Sequence, residues 1–125
     1  MSDYSVFHDE IIPSQSDEYI RAVYNHFFDR NGCIVSATFK SSRGGVSVTR
    51  SNESVAHNAM CYMKQNYQGK MAVFPVASCG RLSIHDEYEP SPYNSNHWGL
   101  YGDTEHNDLS NRQIAGLIDS VTRVE

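Results

Sequence analysis

Gly45-Val46-Ser47-Val48-Thr49-Arg50-Ser51-Asn52-Glu53-Ser54 is the stretch on which the fold turns. Alternation places Val46 and Val48 on one face of a strand and Ser47 and Thr49 on the other, so one side is apolar and one polar. Ser51 or Asn52 then suits the cap of a helix, with Glu53 in its first turn near the positive end of the dipole. Val55, Ala59, Tyr62 and Met63 continue at i, i+4, i+7 and i+8, a single buried stripe that closes at Gly69.

Upstream, residues 33–40 (Cys-Ile-Val-Ser-Ala-Thr-Phe-Lys) have strand composition and run into the loop that holds Arg43 and two glycines. Residues 19–28 are rich in aromatic and β-branched side chains but also carry helical spacing at Ile20, Val23, Tyr24 and Phe27. The first 18 residues suit a short strand or packed arm. Downstream, residues 71–77 form an apolar run consistent with a buried strand, in which Pro75 argues for an edge or a bulge. Cys79-Gly80 leads to an expected short strand over 81–84. Another is expected at 97–101, after the proline loop. Ser110-Asn111-Arg112-Gln113 is a capping-box pattern, and Ile114, Leu117, Ile118 and Val121 make an amphipathic stripe.

Strands and helices interleave without regular strand-helix-strand units or a dinucleotide-binding glycine fingerprint. The expected fold is α+β: a small single domain with a mixed or antiparallel sheet and two main helices, at about 52–66 and 110–122. A chain of 125 residues leaves no room for a second core.

The net charge of −5 supplies no field for duplex nucleic acid, so no duplex partner is expected. No apolar run approaches a membrane span, and the start resembles no signal peptide, which points to a cytoplasmic chain without a membrane partner. Cys33, Cys61 and Cys79 are odd in number and unpaired in spacing, giving neither a disulfide framework nor a zinc knot; buried thiols are the expectation. Cys79 with His57, His85 or His97 could form a nucleophile and base, although nothing local separates it from a core thiol. Among the six histidines, His85-Asp86-Glu87 is the densest ligand-like cluster. Only His85 and Glu87 could share an ion on a strand, and a solvated turn is the preferred reading, so no metal is expected.

The order of elements from 33 to 84 resembles that of the ADP-ribosyltransferase superfamily: a strand, a glycine loop, the Gly45-led strand with its hydroxyls, a capped helix and an apolar strand. It is also similar to that of the RES-type toxins, a compact NAD-degrading branch with an early arginine. The resemblance implies a nicotinamide pocket, with NAD as substrate, in a toxin or defence setting. By position, Ser47 and Thr49 match the pocket-lining strand, and Arg21 matches the early basic residue, with His26 as its substitute. Where the family carries a late glutamate, the loop before Trp98 offers Asn94, Asn96 and His97.

Cleaving the nicotinamide N-glycosidic bond develops oxocarbenium character, so it requires an oriented ribose, a stacking ring, a cation on the diphosphate and a group stabilising positive charge. The candidate catalytic residues are Arg21, Ser47 and His97. The candidate ligand-binding residues are Arg43, Thr49, Arg50, Tyr93, Asn96 and Trp98, with Tyr62 as a further stacking ring that also suits the core. The alternatives are a non-catalytic module binding a nucleotide, another small molecule, a protein partner or a second copy of itself, and a ribonuclease using His97 with another histidine.

Overall fold

Val46 and Val48 are buried and Ser47 is exposed, so the Gly45-led stretch alternates as a strand should. The computed structural model describes residues 17–40, 45–52 and 55–125. The arm expected at the N-terminus, the Arg43 loop and the Glu53-Ser54 helix start fall outside these residues, apart from Asp17, which immediately precedes the first strand.

Six strands, β1 (Glu18–Val23), β2 (Val46–Ser51), β3 (Lys70–Pro75), β4 (His85–Tyr88), β5 (His97–Tyr101) and β6 (Arg123–Val124), form one sheet in the order β4-β5-β2-β1-β3-β6. Every pairing is antiparallel. The helices are α1 (Ala56–Asn66), α2 (Ala77–Arg81) and α3 (Asn111–Ser120), with 3-10 turns at Asn25–Phe27 and Ser36–Phe39. The α+β class is therefore correct, with a wholly antiparallel sheet. Among the described residues, no helix is long and apolar enough to cross a membrane.

Each face of the sheet has its own core. Tyr19, Val46, Val48, Phe74 and Leu100 project to one side, beneath Cys79 of α2 and Ile114 and Leu117 of α3. Ile20, Ala22, Met71 and Val73 project to the other, beneath Ala59 and Met63 of α1. Full burial of a side chain such as Phe74 or Leu117 contributes about 1.5–3 kcal/mol. On the α1 side, however, the apolar cover ends at β2. Direct cross-strand partners share a face, and here they are Thr49 with His97, Ser47 with Gly99, Gly99 with Glu87, and Tyr101 with His85. One half of that face is thus polar, and the candidate chemistry lies on it.

The capping box of α3 is complete: Ser110 Oγ accepts the Gln113 N–H at 3.1 Å, and Gln113 Oε1 accepts the Ser110 N–H at 2.8 Å. In α1, Val55, Ala59 and Met63 are buried as the stripe requires. That helix begins at Ala56 rather than near residue 52, because Ser51 belongs to β2, while Asn52 Oδ1 accepts the Val55 N–H at 3.2 Å. Pro75 ends β3 beyond the two-residue ladder with β6, where among the described residues that side of β3 is unpaired, so the edge position expected of it is what it occupies and no bulge forms. Val73 accepts from Thr122 and Val76 donates to Asp17, so the odd-numbered residues of β3 face β6. The donor that Pro75 lacks would point past the last rung with that strand.

Two expected strands do not form. Residues 33–40 make one bridge, Ile34 with Phe28, and then turn through Ser36–Phe39. Burial of Phe39 against Phe74, with ring centroids 5.7 Å apart, outweighs local strand preference. Around residues 77–84 the chain forms α2 and a left-handed cap: Ser83 has φ 57°, Ser83 N–H donates to Gly80 and Ile84 N–H to Cys79. This is the Schellman pattern with serine where glycine is usual, which hides the helix end from composition.

Candidate functional site: a cleft between diverging strands

The β1–β2 ladder ends at the pair Ile20 and Thr49, while β1 runs on with β3 to Val23 and β2 runs back with β5 to Val46. The two strands therefore separate, and the next side chain along β1 is Arg21. Its guanidinium crosses the gap, donating from Nη1 to the Ser47 carbonyl at 2.8 Å and from Nε to the Thr38 carbonyl at 3.0 Å. Burial lowers its pKa from the ordinary arginine value, but a guanidinium keeps its charge. Among the described residues no carboxylate lies within ion-pair distance of it. Backbone carbonyl dipoles alone offset that charge, and its remaining N–H groups are unspent.

Arg21, Ser47, Thr49 and His97 line one hollow of about 90 Å³, together with Tyr24, Tyr67 and Met63. Thr49 is saturated, since its hydroxyl donates to Met63 Sδ at 3.1 Å and accepts from Asn94 Nδ2 at 2.9 Å. It orders the loop before β5 rather than offering a group to a ligand. Ser47 keeps an exposed hydroxyl. His97 Nδ1 lies 2.8 Å from the Glu89 carbonyl, which can only accept, so Nδ1 carries a proton and Nε2 is the ring nitrogen left for a ligand.

Glu89 and Tyr101 were not among the residues expected here. The Glu89 carboxylate covers Gly99, where any Cβ would collide with it, and accepts the Tyr101 hydroxyl at 2.5 Å. That bond, then burial, raises the Tyr101 phenol to about 12, so it stays a donor at ordinary pH. The sequence signal was Gly99, a glycine inside a strand, which marks close approach by another group.

The other expected residues lie elsewhere. Arg50 is not available for a phosphate: it is 3% exposed, on the face opposite Thr49. Its Nε donates to Asp17 at 2.8 Å, its Nη1 donates to the Tyr19 hydroxyl at 3.2 Å, and its plane lies 4.5 Å from the Trp98 ring. The simple pair with Glu53 falls outside the described residues. Trp98 packs on the core beside Tyr19 and Tyr88, which rules out stacking on a ligand in the hollow. Asn96 is buried, and its carbonyl accepts the Arg50 N–H at 2.9 Å. Tyr93 stands in solvent, 85% exposed. Arg43 lies outside the described residues. Tyr62 is half-buried on α1, edge-on to Tyr67, and His26 is exposed against Tyr24.

Cys79 is no nucleophile. Burial above all, then Asp86, raises its thiol to about 12, so almost no thiolate exists near neutrality. The expectation of buried thiols holds for Cys79 alone, since Cys33 is exposed and Cys61 half-buried. A disulfide-exchange thiol reagent is expected to label Cys33 and Cys61 in the folded protein and Cys79 only after denaturant is added. Mass mapping checks this, and native labelling of Cys79 would contradict its place in the core.

In comparisons with known proteins, the chain matches no family model, no curated protein and no solved structure.

Proposed function

We propose that the hollow between β1 and β2 holds one end of a nucleotide of the NAD class. Arg21 meets its phosphate or ribose oxygens, and the rest of the ligand lies across the polar half of the sheet. The observation that carries this reading is the half-buried Arg21 guanidinium at the cavity wall, with unspent donors and no carboxylate beside it. An anion is the ligand that such a group favours, and a diphosphate accepts its planar fork. A volume of about 90 Å³ is well below the roughly 300 Å³ of a pocket enclosing a whole ligand, so only one ring or one phosphate enters it.

As an enzyme, the protein would break the bond between nicotinamide nitrogen and ribose C1′, in the manner implied by its resemblance to ADP-ribosyltransferases. Water would add to C1′, nicotinamide would leave with the bonding pair, and one proton would be released. Tyr24 and Tyr67 would flank the leaving ring. Ser47 would orient ribose, and Glu89, held by Tyr101 beside His97, would face the developing positive charge. Glu89, the first residue of the loop before Trp98, is the carboxylate that Asn94, Asn96 and His97 do not supply. The ribonuclease alternative needs a second imidazole, and among the described residues none joins His97 in lining the hollow.

The test is calorimetric titration with NAD and ADP-ribose, paired with an assay of nicotinamide release. The parent protein is expected to bind and to release nicotinamide. Arg21→Ala should weaken binding by about 10–100-fold, the loss of a charged hydrogen-bonding group. Glu89→Gln should retain binding and lose release. Arg21→Lys, which keeps the charge across the gap, controls for loss of the strand contacts. Binding without release selects the non-catalytic module, and no binding of either nucleotide at millimolar concentration removes the nucleotide reading.

A further inference from the structure

We propose that His85, Glu87 and His106 form a binding site for a zinc-class divalent cation on the outer edge of the sheet, independent of the nucleotide reading. His85 and Glu87 alternate on the edge strand β4 and project to one side of it. That alone is a pair, as the sequence suggests. The third ligand comes from the loop after β5, which returns over the same side and brings His106 to Glu87 across 19 residues.

The donor atoms are already close to the spacing a metal needs. His106 Nε2 lies 2.7 Å from Glu87 Oε2, and His85 Nε2 lies 3.8 Å from Glu87 Oε1. One ligand atom from each of the three residues lies within 4.8 Å of the others. Bonds of about 2.0–2.1 Å in a tetrahedron separate neighbouring ligand atoms by roughly 3.4 Å. Closing around an ion therefore takes side-chain adjustments of about 1 Å, with no change of fold.

The loop holds its ligand in place. His106 sits at φ 63°, a left-handed conformation uncommon outside glycine, and its N–H donates to the Asp103 carbonyl at 3.1 Å. Asp103 Oδ1 accepts the N–H groups of Glu105 and Asn107 at 2.9 and 3.2 Å. The His106 ring packs against Tyr101, centroids 4.2 Å apart, and lies 5.8 Å from His85.

Two imidazole nitrogens from different elements converge on the two oxygens of one carboxylate. A single cation among them would take one lone pair from each of the three side chains. Two imidazole nitrogens and one carboxylate, with no thiolate, suit zinc and its neighbours in the first transition row over calcium or magnesium, which take oxygen ligands. The ligand side chains are 30%, 41% and 48% exposed, so an ion can enter, and three protein ligands leave a coordination position for water or a substrate atom.

The test is calorimetric titration of zinc chloride into the full chain, with cobalt(II) as the spectroscopic probe. One ion per chain is expected, with a dissociation constant of about 10 µM or tighter, and visible cobalt bands of tetrahedral intensity. His85→Ala, Glu87→Gln and His106→Gln should each weaken binding at least about tenfold, without changing the metal-free melting temperature. The same experiment is run on His57→Ala with Cys61→Ser, because His57 Nε2 and Cys61 Sγ lie 3.6 Å apart on α1. Loss of binding in that variant with retention in the others would overturn the assignment. So would an absence of heat and cobalt colour up to millimolar metal, or tighter binding of calcium or magnesium than of zinc.

Discussion

Arg50→Ala is expected to destabilise the protein by about 3–5 kcal/mol, the cost of breaking a buried ion pair from one side. Asp17 and Arg50 side chains are 5% and 4% exposed, and the substitution takes away the guanidinium that neutralises the carboxylate. It also removes the donor to the Tyr19 hydroxyl, which in turn donates to Asp86 at 2.5 Å, and the cation stacked on Trp98. Burial, then the Asp86 hydrogen bond, pushes the Tyr19 phenol well above its usual range, so that hydroxyl stays a neutral donor to Asp86 and supplies no charge of its own. Replacing both charges, Arg50→Met with Asp17→Leu, should recover part of the loss, because volume returns and the buried Asp17 is not stranded, while Asp86, 4.0 Å from Arg50 Nη1 and 28% exposed, still loses its cation. Urea unfolding of the single and double variants checks this. A single variant within about 0.5 kcal/mol of the parent, accompanied by loss of nucleotide binding, would move Arg50 from scaffold to site.

Gly69→Ala should cost roughly 3 kcal/mol, from two sources. Gly69 holds φ 92°, a conformation that L side chains rarely adopt. The added Cβ would also run into the Val23 carbonyl oxygen and lie 2.9 Å from Tyr24 Cα, both backbone atoms that cannot rotate aside. Strain would pass to the end of β1, next to Arg21 and Tyr24, so ligand binding in the hollow should weaken together with stability. Gly32 is the control: its φ is 80°, but its Cβ would meet open space. Gly32→Asn, which tolerates the left-handed region, should stay within about 1 kcal/mol of the parent in thermal unfolding. Equal losses at the two glycines would show that the collision at Gly69 is relieved by movement of β1.

How much could be read in advance follows from the range of each signal. The Ser110…Gln113 box and the stripe that follows it closed as expected, because every hydrogen bond and contact involved spans at most a few residues. The Val46 and Val48 alternation held for the same reason. Residues 33–40 looked like a strand and were not, since burial of Phe39 against Phe74 decided their path, and that contact joins segments far apart in the sequence. The end of α2 was hidden by Ser83 in a place where glycine is the usual marker.

At the site, Arg21 and Arg50 were indistinguishable by composition. By register both project from the same face as Tyr19, and whether each meets a hollow or a buried aspartate depends on where the β1–β2 ladder stops. Glu89 was overlooked because it follows β4 and reaches Gly99 only through the pairing of two strands.

The amino-acid sequence alone determined the α+β class, the C-terminal helix and the two-faced character of β2, because helix caps and side-chain alternation are properties of neighbouring residues. Tertiary structure decided which arginine is scaffold, which carboxylate lies by His97, and that His106 meets Glu87. Those outcomes depend on register and loop return between segments tens of residues apart, where a shift of one residue turns every side chain to the opposite face of the sheet.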